Sequence, residues 1–226
     1  MKILNIYIIL LILCVLPLTA QLKDSIYDEA ACGLNFIHKS KRIGSRGLQE
    51  FPQDHLPASF TISELPTQCY NIEKAYVYWI ISAIRTNAKI ITCTIKKGKD
   101  SLKVRADTVG TDGPKMYGER GTVGYRADVT NFFKNDGTDN GNLTVNVNTD
   151  EYDTDGISLL IIYKNYKAPY KGFLRLQHFF LTTNLNTTKT LSGYNVPPNV
   201  LSNSGKGFLF ASDFHSSKPK VFGLAL

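Results

Sequence analysis

"DTDGISLLIIYKNYKAPYKGFLRLQHFF", Asp153 to Phe180, decides the fold. Ile157 to Tyr163 is apolar on both sides of a period-two pattern, with Ser158 the exception, and reads as a central β-strand covered on both faces. The following "KNYKAPYKG" reads as a connection, because Pro169 cannot donate to a ladder. "FLRLQHFF", Phe173 to Phe180, then returns as the next strand. "KAYVYWII", Lys74 to Ile81, has the same two-faced character and is a second central strand.

Away from these runs the apolar period is two rather than 3.6. "GNLTVNVNTD" puts Leu143, Val145 and Val147 on one side and Asn142, Thr144, Asn146 and Asn148 on the other, the mark of a half-buried strand. "KIITCTIKK" turns Ile91, Cys93 and Ile95 inward, and "SLKVRAD" does the same with Leu102, Val104 and Ala106. Gly, Asn, Asp and Pro close each run. "ADVTNFFK" is the one helical candidate, one or two turns capped by Asp128 with Phe132 and Phe133 docked on the sheet. Many short strands with so little helix predict an all-β fold, an antiparallel two-sheet sandwich of jelly-roll-like type.

The first residues, "MKILNIYIILLILCVLPLTAQ", join Lys2 to an apolar run and a small-residue end, which is a signal peptide over residues 1–20 with cleavage after Ala20. The clean run Ile6 to Leu18 falls short of the roughly 20 residues a bilayer requires. The expected product is secreted or held at a bacterial cell surface, with no stable membrane insertion after cleavage. Residues 21–70 then form an N-terminal extension with the first strands and residues 71–226 the sandwich core, the whole of 21–226 being one domain.

The formal charge of the chain is +7, which suits an anionic partner or simple solubility. The lysines are scattered apart from "KKGKD", Lys96 to Asp100, and no nucleic-acid motif accompanies them, so no nucleic-acid partner is expected. With Cys14 lost in the leader, Cys32, Cys69 and Cys93 remain. If "YVYWII" and "IITCTI" pair as a hairpin across "RTNA", Cys93 faces Ile80 and lies beyond the reach of Cys69. Cys93 is then a buried free thiol. Cys32 and Cys69, both in irregular segments, are the pair expected to bridge.

Motifs for catalysis are incomplete. "DGISLL" supplies Gly156 and Ser158 of a nucleophile elbow without the closing glycine or a helix. His38, His55, His178 and His215 form no metal-ligand spacing. "SNSGKGFLF" lacks the first glycine and the hydroxyl of a phosphate loop. Asp128, Asp150, Glu151, Asp153, Asp155 and Asp213 are spread acids whose separation sequence cannot supply. No catalytic residue and no cofactor is therefore expected. Calcium is the single metal candidate: Glu151, Asp153 and Asp155 alternate like half an EF-hand loop but lack its closing Glu, and Asp136 and Asp139 lie in a neighbouring loop.

Three stretches in order, "AYVYWIIS", "YRADVTNFF" and "DGISLLIIYKNYKAPYKGFLRLQHFF", resemble a family of secreted β-sandwich domains of unknown function found in surface proteins of Bacteroidota and some Gram-positive bacteria. The resemblance covers roughly Ile72 to Phe180. It puts Tyr76, Tyr78, Trp79, Asp128, Ser158 and Tyr163 on the family's recurring positions and implies structural roles for them, with no catalytic assignment. Ile80, Ile81, Lys164 and Asn165 depart from the pattern. The function expected is a non-catalytic secreted or cell-surface module for adhesion or for binding a surface glycan or protein partner. The alternative is a secreted carbohydrate-active enzyme or its accessory carbohydrate-binding domain, using exposed aromatics beside paired acids.

Overall fold

A computed structural model describes residues 26–43, 55–82, 90–112, 122–135, 140–150 and 154–176. Eleven strands and one helix follow in chain order: β1 Tyr27–Cys32, β2 Leu34–Arg42, β3 Ala58–Ile62, β4 Tyr70–Ser82, β5 Thr92–Lys97, β6 Asp100–Arg105, β7 Asp107–Asp112, β8 Thr122–Asp128, α1 Thr130–Asn135, β9 Gly141–Val147, β10 Thr154–Asn165 and β11 Lys171–Leu176. The fold is an all-β sandwich of antiparallel sheets. One sheet has five strands in the order β2-β10-β4-β8-β7, and the other four in the order β3-β9-β5-β6. β1 and β11 form a separate two-stranded ribbon.

Alternation builds the main core. Ala75, Val77, Trp79 and Ile81 of β4, Ile157, Leu159, Ile161 and Tyr163 of β10, and Val123 and Ala127 of β8 face Phe60, Ile62, Cys93, Ile95, Leu143, Val145 and Val147 of the other sheet. Every second residue of these strands therefore leaves water, and burying one such aliphatic side chain is worth about 1.5–3 kcal/mol. β10 and β4 are interior strands, as their two-faced apolar character requires.

The ribbon explains the other face of β10. Leu160 and Ile162 point away from the main core and form a second cluster with Leu34, Tyr76 and Leu176, joined by Tyr27, Phe36 and Leu174. β1 and β2 make one strand folded back at Gly33, and β10 and β11 make another folded at residues 166–170. Gly33 has φ +67, and a Cβ there would lie 1.9 Å from the Asn165 carbonyl oxygen, so any larger residue would force the fold-back open. Ion pairs fasten the ribbon's edges: Glu29 to Lys164 at 2.6 Å and Asp28 to Arg175 at 2.6 Å.

α1 sits where expected. The Asp128 carboxylate accepts from the Thr130 N–H at 2.9 Å, and Phe132 and Phe133 are buried on the core edge-to-face at 5.5 Å.

The expected β4–β5 hairpin is not formed. β4 pairs with β10 and β8, whereas β5 pairs with β6 and β9 in the opposite sheet. Cys93 therefore faces Val104 and Val147 rather than Ile80. Both strands bury an apolar face, and the two faces close on one another across the sandwich rather than lying side by side. β1, β2 and β3, the strands before residue 70, pair with β11, β10 and β9.

Candidate functional site

Cys32, Cys69 and Cys93 are all free thiols, with no pair at bonding distance. The Cys32–Cys69 bridge is absent because separate contacts hold the two residues: Cys32 lies on the ribbon ladder opposite Lys171, while the Cys69 carbonyl takes the Tyr166 N–H at 2.9 Å. Cys69 carries a left-handed φ of 57. Cys93 is fully buried, and desolvation pushes its thiol up to about 12.

The family-pattern residues lie on β4, β8 and β10. Trp79 and Tyr163 face the main core, and Tyr76 belongs to the cluster beneath the ribbon. On the outer side of the five-stranded sheet, Ser40, Ser158, Tyr78, Arg126 and Asp107 share one register row. Arg126 stands over the Tyr76 ring at 5.3 Å, and its Nη2 donates to Asp107 Oδ2 at 3.0 Å, while its Nε is buried without a partner. Burial raises the Tyr78 phenol well above its ordinary value, keeping it neutral.

Ser158 stands 2.5 Å from His38 Nε2, a pairing that no sequence spacing announces across 120 residues. Ser158 is 1% exposed, so its hydroxyl is closed to solvent. That hydroxyl has two partners, the Lys39 carbonyl at 3.2 Å and the His38 ring, and the ring tautomer sets which of them receives its single proton. Burial also depresses His38, so the ring is neutral at pH 7.

His55 lies on the surface, and His178 and His215 fall outside the described residues. Of the acidic loops, Asp150 and Asp155 are described, while Asp136, Asp139, Glu151, Asp153 and Asp213 are not. Among the described residues no three His, Cys, Asp or Glu side chains form a group that could hold a metal ion. No described helix is long and apolar enough to cross a membrane. Residues 1–20, the expected leader with Cys14, lie outside the described residues.

The most exposed aromatics among the described residues lie on the β10–β11 turn, where Tyr166 is 64% and Tyr170 43% exposed. Lys167, Pro169 and Lys171 are exposed beside them. The backbone beneath is held from several sides. Asn165 N–H donates to the Gly33 carbonyl and Tyr166 N–H to that of Cys69, each at 2.9 Å, and Gly33 N–H donates to the Tyr170 carbonyl at 2.8 Å. The Asn165 side-chain oxygen takes the Lys167 N–H at 3.0 Å, and Asn35 Nδ2 donates to the Tyr170 hydroxyl at 3.0 Å. Two amphipathic rings are thus shown to solvent on a turn pinned by hydrogen bonds to the neighbouring chain.

Cations near this turn differ in their freedom. Lys164 is raised by its hydrogen bond to Glu29, with Glu73 3.5 Å away, and that bond together with the Tyr27 hydroxyl depresses Glu29. No ion pair joins Lys167 or Lys171 to an acid among the described residues. Composition could not single this turn out, since nothing local distinguishes an exposed tyrosine from the many buried ones.

No protein-family model, curated protein or solved structure matches the chain.

Proposed function

We propose that this chain is a non-catalytic secreted or cell-surface module that binds a surface glycan or protein partner through the β10–β11 turn. The observation that carries this reading is the pair of exposed rings, Tyr166 and Tyr170, on a turn held by hydrogen bonds to Gly33 between β1 and β2, to Cys69 before β4 and to Asn35 of β2. An aromatic side chain with few torsions to freeze contributes much contact area at little entropic cost. The leader-like first residues and the resemblance to secreted surface domains point the same way.

A glycan array and a parallel hydrolysis screen on the chain beginning at Gln21 test it. Binding without turnover, lost on Tyr166→Ala/Tyr170→Ala while the fold is retained, is the expected result. Turnover of any glycan, or binding indifferent to both tyrosines, would overturn it. Native protein recovered outside the cytoplasm should begin at Gln21, and a mature mass that still includes residues 1–20 would refute export.

A further inference from the structure

The two sheets differ in what covers them. The ribbon lies over the outer side of the five-stranded sheet, whereas the outer face of the four-stranded sheet carries Ser59 and Thr61 of β3, Asn142, Thr144 and Asn146 of β9, Thr92, Thr94 and Lys96 of β5, and Ser101, Lys103 and Arg105 of β6. All are exposed or half-buried. Polarity alone is what any solvated face of an antiparallel sheet shows.

The charge goes beyond that. Lys96, Lys103 and Arg105 are all exposed, none of the outward residues of β3, β5, β6 and β9 is Asp or Glu, and no ion pair joins the three to an acid among the described residues. Register places Lys96 opposite Ser101, Thr94 opposite Lys103 and Thr92 opposite Arg105. Lys103 and Arg105 are therefore two residues apart on one strand, about 7 Å, and Lys96 lies on the diagonal from Lys103, one strand over and two residues along, at about 7–8 Å. Like charges at this spacing repel one another weakly through solvent. Lys39, Arg126, Lys164 and Arg175 each have an acidic partner, whereas Lys167 and Lys171 of the β10–β11 turn, like Lys96, Lys103 and Arg105, have none among the described residues.

We propose that this face docks an acidic polysaccharide, a glycan chain bearing carboxylate or sulfate groups. The anions meet Lys96, Lys103 and Arg105, and the hydroxyls meet the Asn and Thr side chains around them. An open sheet face admits an extended chain along or across the strands, and the Thr61–Asn142 hydrogen bond at 2.7 Å holds one end of the polar surface in place. Association releases counterions from the polyanion and relieves the repulsion among the three cations. The surface is separate from the tyrosine turn and does not depend on it.

The test is titration of the chain from Gln21 with dextran sulfate, polygalacturonate, neutral dextran and duplex DNA over a range of salt. Binding to dextran sulfate or polygalacturonate is expected, the better of the two naming the anionic group, with affinity falling as salt rises and with no binding to dextran. Lys96→Gln/Lys103→Gln/Arg105→Gln should lose about tenfold or more and flatten the salt dependence. Lys103→Gln should weaken binding while Lys134→Gln, an equal change of charge on α1, should not. Equal losses from those two single variants would reduce the effect to net charge and overturn the proposal. So would binding to dextran, failure to bind either acidic polymer, or tighter binding to DNA. Loss on Tyr166→Ala/Tyr170→Ala with the face intact would assign the ligand to the turn instead.

Discussion

Trp79 and Tyr125 face each other across the β4–β8 pair, their rings stacked at 5.5 Å with 30° between planes. The indole is wholly buried, and its Nε1 has no hydrogen-bond partner. Trp79→Ala leaves a cavity facing both sheets and should cost about 3–5 kcal/mol. Trp79→Phe keeps a ring against Tyr125 and removes the unpaired donor, whose burial costs about 1–3 kcal/mol, so its net cost should be much smaller. Denaturant unfolding followed by circular dichroism measures both. An alanine variant as stable as the parent would remove Trp79 from the core.

The thiols should divide by exposure. Cys32 and Cys69 are exposed and free, while Cys93 is buried with its ionisation pushed up to about 12, so its reactive thiolate is scarce at neutral pH. Alkylation of the native chain from Gln21 should modify two thiols promptly and the third only on unfolding. Rapid labelling of Cys93, or resistance of Cys32 and Cys69 until a reductant is added, would contradict the arrangement.

The junction of β8 and α1 turns on two side chains. Asp128 caps the Thr130 N–H, and the Thr130 hydroxyl accepts the Ala75 N–H at 3.0 Å inside the protein. Asp128→Ala should cost about 0.5–2 kcal/mol through the lost cap. Thr130→Val keeps the shape but orphans the buried Ala75 donor, at about 1–3 kcal/mol. Thr130→Ser, which retains the hydroxyl, should recover most of the second loss. If Val and Ser are equal in unfolding free energy, the hydrogen bond is not what Thr130 contributes.

Acid sensitivity should begin at His38. The unfolded chain takes up a proton near the ordinary histidine value of about 6.5, while burial makes folded His38 refuse it until lower pH. The unfolded state then binds more protons, so stability falls as pH drops below that value. Glu29 and Glu64, depressed by their hydrogen bonds to Lys164 and Lys39, add losses of the same sign only below the ordinary carboxylate range. Unfolding free energy measured from pH 8 to 5 should be nearly flat at the top and decline below 6.5, and His38→Gln should flatten that decline. An unchanged profile in the variant would clear His38 of the effect.

Strand identity was legible wherever burial is local. In Leu143–Val147 and Thr92–Lys97 the side-chain alternation follows from backbone pleat alone, and the cap at Asp128 needs only its own neighbours. The two-faced character of β10 was visible too, but not its cause. Leu160 and Ile162 announce a cover, and only the fold-back at Gly33 shows that the cover is the β1–β11 ribbon.

What the sequence determined by itself is the class of the fold, the strands that lie at its centre and the burial of Trp79 and Cys93, because each depends on a residue and its near neighbours. The tertiary structure alone decided that β4 and β5 part into opposite sheets, that Cys32 and Cys69 stay unpaired, that Ser158 meets His38, and that Tyr166 and Tyr170 remain in solvent. Those relations join residues far apart in the chain. Strand pairing across long separations is chosen by the fit of whole apolar faces, and no local period records which faces will meet.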